Sequence, residues 1–160
     1  MNFDFTEEQT MIMDGISRYV REEYDFDVRR IIKDSNDGYS KEVWRRFSEL
    51  GWLSIPFDEA YGGFGGNTDD LASVMIELGK GAIIEPYVAS IVVFGTLLHE
   101  SNNESLKKEI IPKIINGDYK GSFAYIEEQS RFEITDIKTS ATKCNVGYTL
   151  RGQKLAVLAD

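Results

Sequence analysis

Apolar residues recur every three or four positions near the start of the chain, which is the spacing of one helical face. They are Met11, Ile12, Ile16 and Val20. Thr6 and Gln9 precede them as a capping box, in which each side chain bonds the backbone N–H of the other residue. We therefore predict a first helix that begins after Thr6 and runs to about Tyr24.

Five further segments carry the same apolar spacing and predict helices. They cover about residues 27–33, 41–50, 68–79, 86–100 and 104–115. Ser40 caps the third helix, and Gly51 occupies the position where a left-handed C-cap ends it. Ser101 and Glu104 predict a second capping box before the sixth helix. The first two thirds of the chain is therefore expected to be helical.

Beyond Lys120 the helical spacing gives way to short apolar segments separated by turn residues. Four strands are predicted, at residues 121–125, 137–141, 148–150 and 154–158. A run of helices followed by a run of strands indicates two structural units, and we place their boundary near Asp118. Residues 1–118 then form a helical domain, and residues 119–160 form the beginning of a β-domain.

The predicted fold is mainly α, an orthogonal or up-down bundle of about six helices followed by an incomplete β-domain. The last predicted strand reaches Asp160 with no later segment to pair with it or cover it. Because four short strands seldom form an independent sheet, we expect the sequence to be a truncated form or an N-terminal fragment of a longer chain.

Composition restricts the class of protein and the kinds of partner. The 160 residues are 42% hydrophobic and 28% charged, as in soluble globular proteins. No apolar run approaches the roughly 20 residues that cross a bilayer, and the N-terminus lacks a signal-peptide pattern, so we expect a cytoplasmic protein. The net charge of −9 argues against nucleic acid or an anionic membrane as a partner, although a phosphate-bearing ligand needs only a local group of donors.

A single cysteine and a single histidine leave little room for disulfide or metal chemistry. Cys144 has no second cysteine to pair with, and a Cys/His metal site is not expected. Cys144 is either a bystander or a reactive thiol. His99 closes an apolar helix, where it either favours the negative end of the helix dipole or has a catalytic role.

The segment from Trp44 to Gly66 is the most specific motif in the chain. It predicts an amphipathic helix with Trp44, Phe47 and Leu50 on one face, then Pro56, an acidic turn and the glycine-rich elbow YGGFGG. The elbow lacks a preceding strand and a following Lys-Ser/Thr, so it predicts a turn that needs positive φ and not a phosphate loop. This order of elements resembles the N-terminal domain of the acyl-CoA dehydrogenases.

The resemblance to the acyl-CoA dehydrogenases extends through essentially the whole chain. Two stretches, Tyr24–Arg30 and Ala124–Ile134, are most similar to the branch of small subunits that act on pimeloyl-CoA and pair with an unlike chain. The resemblance implies FAD as the cofactor, α,β-dehydrogenation of an acyl-CoA thioester as the reaction, and an electron-transfer flavoprotein as the electron acceptor. It also implies a homo- or hetero-tetramer with a second acyl-CoA dehydrogenase chain.

The catalytic residue that the family uses is not expected in this sequence. In most branches the base is a glutamate of a later helical bundle, which lies beyond Asp160, so no catalytic residue is assigned here. We expect the 160 residues alone to be inactive. The alternative function is a non-catalytic subunit that completes the substrate and FAD site of an unlike acyl-CoA dehydrogenase chain. The sequence does not identify the acyl group.

Two motifs that bind flavin in the family align with this sequence, and both depart from the family pattern. The first, (F/Y)-A-x-T-E-P-x-A-G-S-D, corresponds to residues 123–133, and the second, K-x-(W/Y)-I-(T/S)-N, corresponds to residues 154–159. By this resemblance, seven residues are expected at the cofactor: Phe123, Tyr125, Ile126, Arg131, Phe132, Ala156 and Leu158.

Several of these positions lack the group that contacts flavin in the family. Ile126 and Leu158 replace hydroxyl residues, and Ala156 replaces the aromatic residue that stacks on the flavin. The lost hydrogen bonds and stacking amount to about 2–4 kcal/mol. That difference corresponds to a roughly 30- to 1000-fold loss of affinity. We therefore predict that this chain does not carry a complete flavin site and depends on an unlike partner.

Substrate contacts are expected at three positions. Val88 and Val92 lie on the fifth helix, which either lines an acyl-chain cavity, as its equivalent does in the family, or is simply part of the core. Arg131 stands at the glycine of the first motif. Its guanidinium either makes bidentate contacts with a pyrophosphate or CoA phosphate, or forms a surface ion pair with Glu128 or Glu133.

Overall fold

The computed structural model describes residues 4–158, and these fall into two compact units. The first unit extends to Gly121, and the second unit begins at Ser122. The described part of the first unit contains six α-helices: α1 (Glu7–Glu23), α2 (Phe26–Lys33), α3 (Lys41–Glu49), α4 (Thr68–Lys80), α5 (Thr96–His99) and α6 (Glu104–Ile115). The second unit contains the antiparallel strands β1 (Ser140–Cys144) and β2 (Gly147–Arg151). The predicted mainly α fold is confirmed.

Side-chain caps fix where the helices begin. Thr6 and Gln9 form the predicted capping box of α1, in which the backbone N–H of Gln9 donates to Thr6 Oγ1 at 3.1 Å. The capping box predicted between Ser101 and Glu104 is wrong, because Asn103 caps α6. Glu104 is then the first residue of the helix, and a residue there is too early to reach back to the cap.

Aromatic side chains from three elements form the centre of the first unit. Tyr19 of α1, Phe47 of α3 and Trp52 of the following 3₁₀ turn have ring centroids 5.0–5.8 Å apart. The apolar face predicted for α1 is partly wrong, because Met11 is 72% exposed while Ile16 and Tyr19 are buried. Met11 precedes Ile16 by five residues, and that separation is about 140° around a helix of 3.6 residues per turn.

Two polar links join parts of the first unit that are distant in sequence. Gln9 Nε2 donates to Asp70 Oδ1 at 2.9 Å and so connects the start of α1 with the start of α4. The Tyr24 hydroxyl donates to Glu85 Oε2 at 2.8 Å, and both side chains are buried. Burial raises the pKa of the Glu85 carboxyl, and the bond from Tyr24 acts in the opposite direction. These bonds supply the partners that buried polar groups require.

The glycine-rich elbow is a turn held against the backbone that precedes it. Gly62 and Gly65 have φ of 86° and 73°, as predicted for a turn that needs glycine, and Gly51 ends α3 with φ of 78°. The Gly65 amide donates to the Phe57 carbonyl at 2.8 Å. Gly63 passes so close to Phe57 that an added Cβ would lie 1.9 Å from the Phe57 carbonyl oxygen. A side chain at Gly63 therefore does not fit.

The predicted fifth helix forms, but most of it is a π-helix. The π-helix covers Val88–Gly95 and continues directly into α5. Its Ser90 hydroxyl is buried and donates to the Gly121 carbonyl at 3.0 Å. Gly95 lies against the Phe57 ring, where an added Cβ would be 2.8 Å from Cζ. Within residues 4–158, no helix combines the length and the apolar composition that a membrane span needs.

The two strands of the second unit form a hairpin in which Cys144 pairs with Gly147. β2 confirms the strand predicted at residues 148–150, whereas β1 begins later than the strand predicted at residues 137–141. Every residue of both strands is exposed. Because an isolated two-stranded hairpin is marginally stable in water, the second unit depends on bonds outside the hairpin.

Residues 121–125 and 154–158, which the sequence predicts as strands, do not form strands. Among the described residues no backbone hydrogen bond joins these two ranges, and the nearest one runs from the Leu155 amide to the carbonyl of Ile126, one residue beyond the first range, at 2.8 Å. Ala156 has φ of 49°, which interrupts the extended conformation that a strand needs. Residues 159–160, which end the predicted last strand, lie outside the described part of the chain.

Replacing Gly63 with alanine is expected to destabilise the first unit by at least about 2 kcal/mol, because the new Cβ overlaps the Phe57 carbonyl. Gly15→Ala is the matched control. Gly15 is exposed in α1 with open space at its Cβ position, so the same change is expected to stabilise the unit by up to about 1 kcal/mol. Urea denaturation followed by tryptophan fluorescence measures both effects. A Gly63→Ala protein as stable as the unaltered chain would contradict the described elbow.

Candidate functional site

An apolar groove of about 310 Å³ opens in the second unit, at the segment that the first flavin motif covers. It is lined by Phe123, Ala124, Tyr125, Ile134, Ile137 and Lys154. Phe123 and Tyr125 form a stacked pair, with ring centroids 5.5 Å apart and ring planes 19° from parallel. Ile134 and Ile137 add aliphatic surface. The groove therefore fits a ligand with a flat, largely apolar part.

The backbone beside the groove has donors without acceptors. The amide N–H groups of Phe123–Ile126 bond to no acceptor among residues 4–158. Two carbonyls of this segment are occupied, because Tyr125 accepts from Lys154 Nζ at 3.4 Å and Ile126 accepts from the Leu155 amide at 2.8 Å. Backbone polar groups need partners once they are covered. The unpaired amides make this segment suited to a ligand with acceptor atoms along one edge.

The order of contacts indicates that the segments carrying the two flavin motifs run antiparallel. Glu127 meets Lys154, Ile126 meets Leu155, and the Ser122 hydroxyl donates to the Leu158 carbonyl. Each step forward along the first segment is therefore a step back along the second. Leu158 therefore lies beside Ser122 at one end of the two segments, and Lys154 lies beside Glu127 at the other end. Five of the seven residues predicted at the cofactor, Phe123, Tyr125, Ile126, Ala156 and Leu158, are thus on the two facing segments.

The Glu127 carboxylate is a junction of hydrogen bonds in the second unit. Its side chain is only 4% exposed. Oε1 accepts from Lys154 Nζ at 2.8 Å and from the Thr139 amide at 3.1 Å. Oε2 accepts from the Lys138 amide at 2.7 Å and from Gln129 Nε2 at 2.8 Å. One carboxylate therefore ties together the end of the first motif, the approach to β1 and the start of the second motif.

These donors stabilise the ionised form of Glu127. The side-chain bonds from Gln129 and Lys154 hold the pKa of the Glu127 carboxyl well below its usual range. Ser130 fixes the turn that follows, since its hydroxyl accepts from the Glu127 amide at 2.9 Å and donates to the Glu127 carbonyl at 2.8 Å. Glu127 is therefore a charged acceptor at neutral pH, and hydrogen bonds to charged groups are stronger than neutral ones.

Arg131 and Phe132 lie on the exposed turn that follows Glu127. Phe132 is fully exposed, and Arg131 has φ of 46°, an uncommon conformation for a residue with a side chain. Within residues 4–158, neither Glu128 nor Glu133 forms an ion pair with Arg131. The surface pairing considered from the sequence is therefore not found in the described part of the chain. The roles of Arg131 and Phe132 at a cofactor stay predictions.

The predicted substrate residues Val88 and Val92 belong to the first unit. Val88 begins the π-helix and is 45% exposed, whereas Val92 is half-buried. Ala89 and Ile91 of the same helix are buried in the core. The π-helix is thus core on one side and presents apolar side chains on another. Substrate binding by Val88 and Val92 stays a prediction.

The residues with the most reactive side chains do not line the groove. Cys144 is an exposed free thiol in β1. His99 ends α5 in the first unit, where its Nε2 lies 3.1 Å from Asp58 Oδ2. Within the described residues, no group of three or more His, Cys, Asp or Glu is arranged to hold a metal ion. The chemistry of the groove therefore depends on backbone amides, aromatic rings and the pair Glu127–Lys154.

Sequence reasoning missed Glu127 and Lys154 as residues of the site. Both stand where this chain keeps the family pattern, at the glutamate of the first motif and the lysine of the second. The available signal was that Glu127 and Lys154 keep the residues of the family pattern and carry opposite charges, while many of their neighbours depart from that pattern. Ile134 and Ile137 carry no such signal. They come after the first motif in sequence, and the turn that follows the motif brings them back to the groove.

Acid is expected to loosen the second unit. Because the folded-state pKa of Glu127 is lowered, its contribution to the stability of the unit is complete above the ordinary value of 4.5, declines as the pH falls below that value, and is fully lost only below the lowered folded-state pKa. Hydrogen–deuterium exchange of residues 138–139 and 152–158, corrected for intrinsic rates, is expected to accelerate between about pH 5 and about pH 3. Glu127→Gln removes the titrating group and is expected to abolish this dependence. The same acid transition in the variant would contradict the assignment.

A family model and a curated relative of this chain carry the same family name. The family model for "Acyl-CoA dehydrogenase, N-terminal domain" matches residues 6–118. The probable acyl-CoA dehydrogenase YngJ of Bacillus subtilis is 27% identical over 156 residues, which are 96% of this chain and 40% of that protein. The chain therefore spans about two fifths of the length of this curated relative.

Solved structures give the same fold. One chain of the ChsE4–ChsE5 complex from Mycobacterium tuberculosis matches with a TM-score of 0.86 and 22% identity, over 98% of this chain and 42% of that chain. An FAD complex of PigA matches with a TM-score of 0.84 and 22% identity, over 98% of this chain and 42% of that chain. The narrower resemblance to pimeloyl-CoA dehydrogenase small subunits stays a prediction. Because the N-terminal domain model covers well over half of its residues, this chain belongs to the acyl-CoA dehydrogenase family.

Proposed function

We propose that the protein is a subunit of an FAD-dependent acyl-CoA dehydrogenase that forms the α,β double bond of an acyl-CoA thioester. Family membership supports the proposal, as does YngJ, whose name is that of a probable acyl-CoA dehydrogenase. The proposal concerns the whole protein, because the chain spans about two fifths of that relative. The 160 residues alone are expected to be inactive.

The row of unpaired amides beside the aromatic wall of the groove is the observation that carries the proposal. A flavin ring system has flat faces and acceptor atoms along one edge, so both features suit it. The rings of Phe123 and Tyr125 supply the flat surface, and the Phe123–Ile126 amides supply the donors. The residues present therefore fit FAD, mainly through backbone donors. The matching PigA structure is an FAD complex, which supports the same cofactor.

The residues of this chain are proposed to orient the reactants and to exclude water. When bound, FAD accepts the hydride that leaves the β-carbon of the thioester. Once a flavin covers the exposed side chains of Phe123, Ile134 and Ile137, water would leave this surface and the hydrogen bonds from the neighbouring amides would strengthen. The α-proton goes to the family's glutamate base, a role assigned to no residue described here. An electron-transfer flavoprotein is the proposed electron acceptor.

The chain is proposed to need an unlike acyl-CoA dehydrogenase chain to complete its flavin site, in a hetero-tetramer. Ile126 and Leu158 offer no hydroxyl, and Ala156 offers no ring to stack on the flavin. The ChsE4–ChsE5 structure, a complex of two differently named proteins, supports such an arrangement. A non-catalytic subunit without flavin is not proposed, because the stacked rings of Phe123 and Tyr125 and the unpaired amides beside them fit a flavin. The expected cytoplasmic location stays a prediction.

Flavin content and turnover of the natural-length protein test the proposal. We expect less than one flavin per protomer when the chain is expressed alone. With the unlike chain that co-purifies with it, we expect full flavin occupancy and dye reduction with at least one acyl-CoA. A yellow homotetramer with stoichiometric flavin would contradict the incomplete site. An assembled protein that reduces no dye with straight-chain, branched, dicarboxylyl or steroid acyl-CoA would contradict the enzyme assignment.

Arg131→Ala tests whether this cation binds a phosphate group. A charge-assisted bond contributes about 1.5–3 kcal/mol, so the variant is expected to lose roughly 10- to 100-fold in affinity for FAD or acyl-CoA. Arg151→Ala is the matched control, because Arg151 is an exposed arginine in β2 of the same unit. Calorimetric titration of the assembled protein measures both variants. If Arg131→Ala leaves both affinities unchanged, Arg131 is not a ligand residue.

A further inference from the structure

We propose that Glu127 is a positioning residue of the cofactor site, holding the two flavin-motif segments in register through Lys154. The inference rests on the proposed function, since the flavin is the ligand that these segments are held to receive. Glu127 does not line the groove, whereas Lys154 does. Glu127 therefore acts on the ligand site through another residue and without touching the ligand.

The pair Glu127–Lys154 sits at one end of the two facing segments. The other described links between the segments are the bonds from Lys154 Nζ to the Tyr125 carbonyl, from the Leu155 amide to the Ile126 carbonyl and from the Ser122 hydroxyl to the Leu158 carbonyl. Of these four links, only the ion pair involves opposite charges, and its carboxylate is buried. Residues 154–158 are not held by a strand ladder. The ion pair therefore fixes the position of Lys154, the first residue of this segment.

Lys154 transmits the position of Glu127 to the groove. Its ammonium group donates to Glu127 Oε1 at 2.8 Å and to the Tyr125 carbonyl at 3.4 Å. Its side chain also lines the groove beside Phe123 and Tyr125. The same cation thus contacts the carboxylate, the backbone of the donor segment and the space that the ligand is proposed to occupy. Without Glu127, this ammonium loses its anionic partner at the edge of an apolar surface.

A carboxylate is required at position 127, because both of its oxygens act as acceptors. Each oxygen accepts two bonds, and all four donors are N–H groups. Glutamine has a single acceptor oxygen, and its NH₂ group would face two of these donors. Glu127→Gln therefore removes the charge and two acceptor sites while it keeps the size of the side chain. Glu128 is exposed and makes no described bond, so Glu128→Gln is the matched control.

The experiment uses the natural-length protein in its assembled form, prepared without flavin. Glu127→Gln, Lys154→Met, the double variant, Lys154→Arg and Glu128→Gln are compared. Hydrogen–deuterium exchange of residues 122–127 and 152–158 reports the register of the segments without cofactor. Titration with FAD gives the affinity, and visible circular dichroism at saturating FAD reports the surroundings of the flavin ring. The visible circular dichroism of the bound flavin does not respond to a change in protein stability alone.

We expect Glu127→Gln and Lys154→Met each to speed exchange in both segments and to weaken FAD binding about 10- to 100-fold. The double variant is expected to bind FAD no more weakly than the single variant with the lower FAD affinity, because both changes remove the same link between the segments. Lys154→Arg is expected to keep the affinity within about threefold, since it keeps the cation. The flavin dichroism is expected to change in the first two variants. Glu128→Gln is expected to change nothing.

Normal FAD affinity and dichroism in Glu127→Gln, with faster exchange, would overturn the positioning role and leave the proposed function intact. Additive losses in the double variant would show that Glu127 does not act through Lys154, and would also overturn it. If the unaltered assembly binds no FAD, the proposed cofactor and this role both fail, whatever the exchange shows. If Glu127→Gln does not fold, cofactor-free exchange of residues 122–127 and 152–158 in Lys154→Met decides the matter, because this variant keeps the carboxylate and its other three donors. Exchange as slow as in the unaltered protein would then overturn the positioning role.

Discussion

Polar groups that leave water need partners, and this constraint organises both units of the chain. In the first unit, the buried Tyr24 hydroxyl and Glu85 carboxylate satisfy each other across sixty-one positions of sequence. In the second unit, Glu127 gathers four donors and so fixes segments that no strand ladder holds. By contrast, the backbone N–H groups of Phe123–Ile126 have no hydrogen-bond acceptor among the described residues. Such donors need partners once they are covered, and a ligand with acceptor atoms can supply them.

Backbone donors would let the proposed flavin site tolerate the side chains found here. A backbone amide is present whatever the side chain, so the replacement of a hydroxyl by Ile126 or Leu158 removes an anchor without removing the row of amides. What the amides need is a fixed position, and the chain supplies it through the pair Glu127–Lys154. Affinity is then expected to depend on how well the segments are held, and on what an unlike partner adds.

The sequence predicted the first unit well, because helices leave local signals. Thr6, Ser40 and Gly51 mark helix ends by chemistry that acts within a few residues, and all three act as predicted. The second unit was predicted poorly, because a strand is defined by its partner and short apolar segments do not reveal one. The φ of Ala156 and the bonds of Glu127 depend on tertiary contacts, which local spacing does not encode.

Within the candidate site, the family motifs located Phe123 and Tyr125 but not the residues that hold them in place. The central claim is that the amides of Phe123–Ile126 receive the flavin. The most direct test is hydrogen–deuterium exchange of these amides in the assembled natural-length protein, with and without FAD. We expect FAD to slow exchange at these amides and to leave exchange in the exposed hairpin Ser140–Arg151 unchanged. Bound FAD with no slowing at residues 123–126 would contradict it.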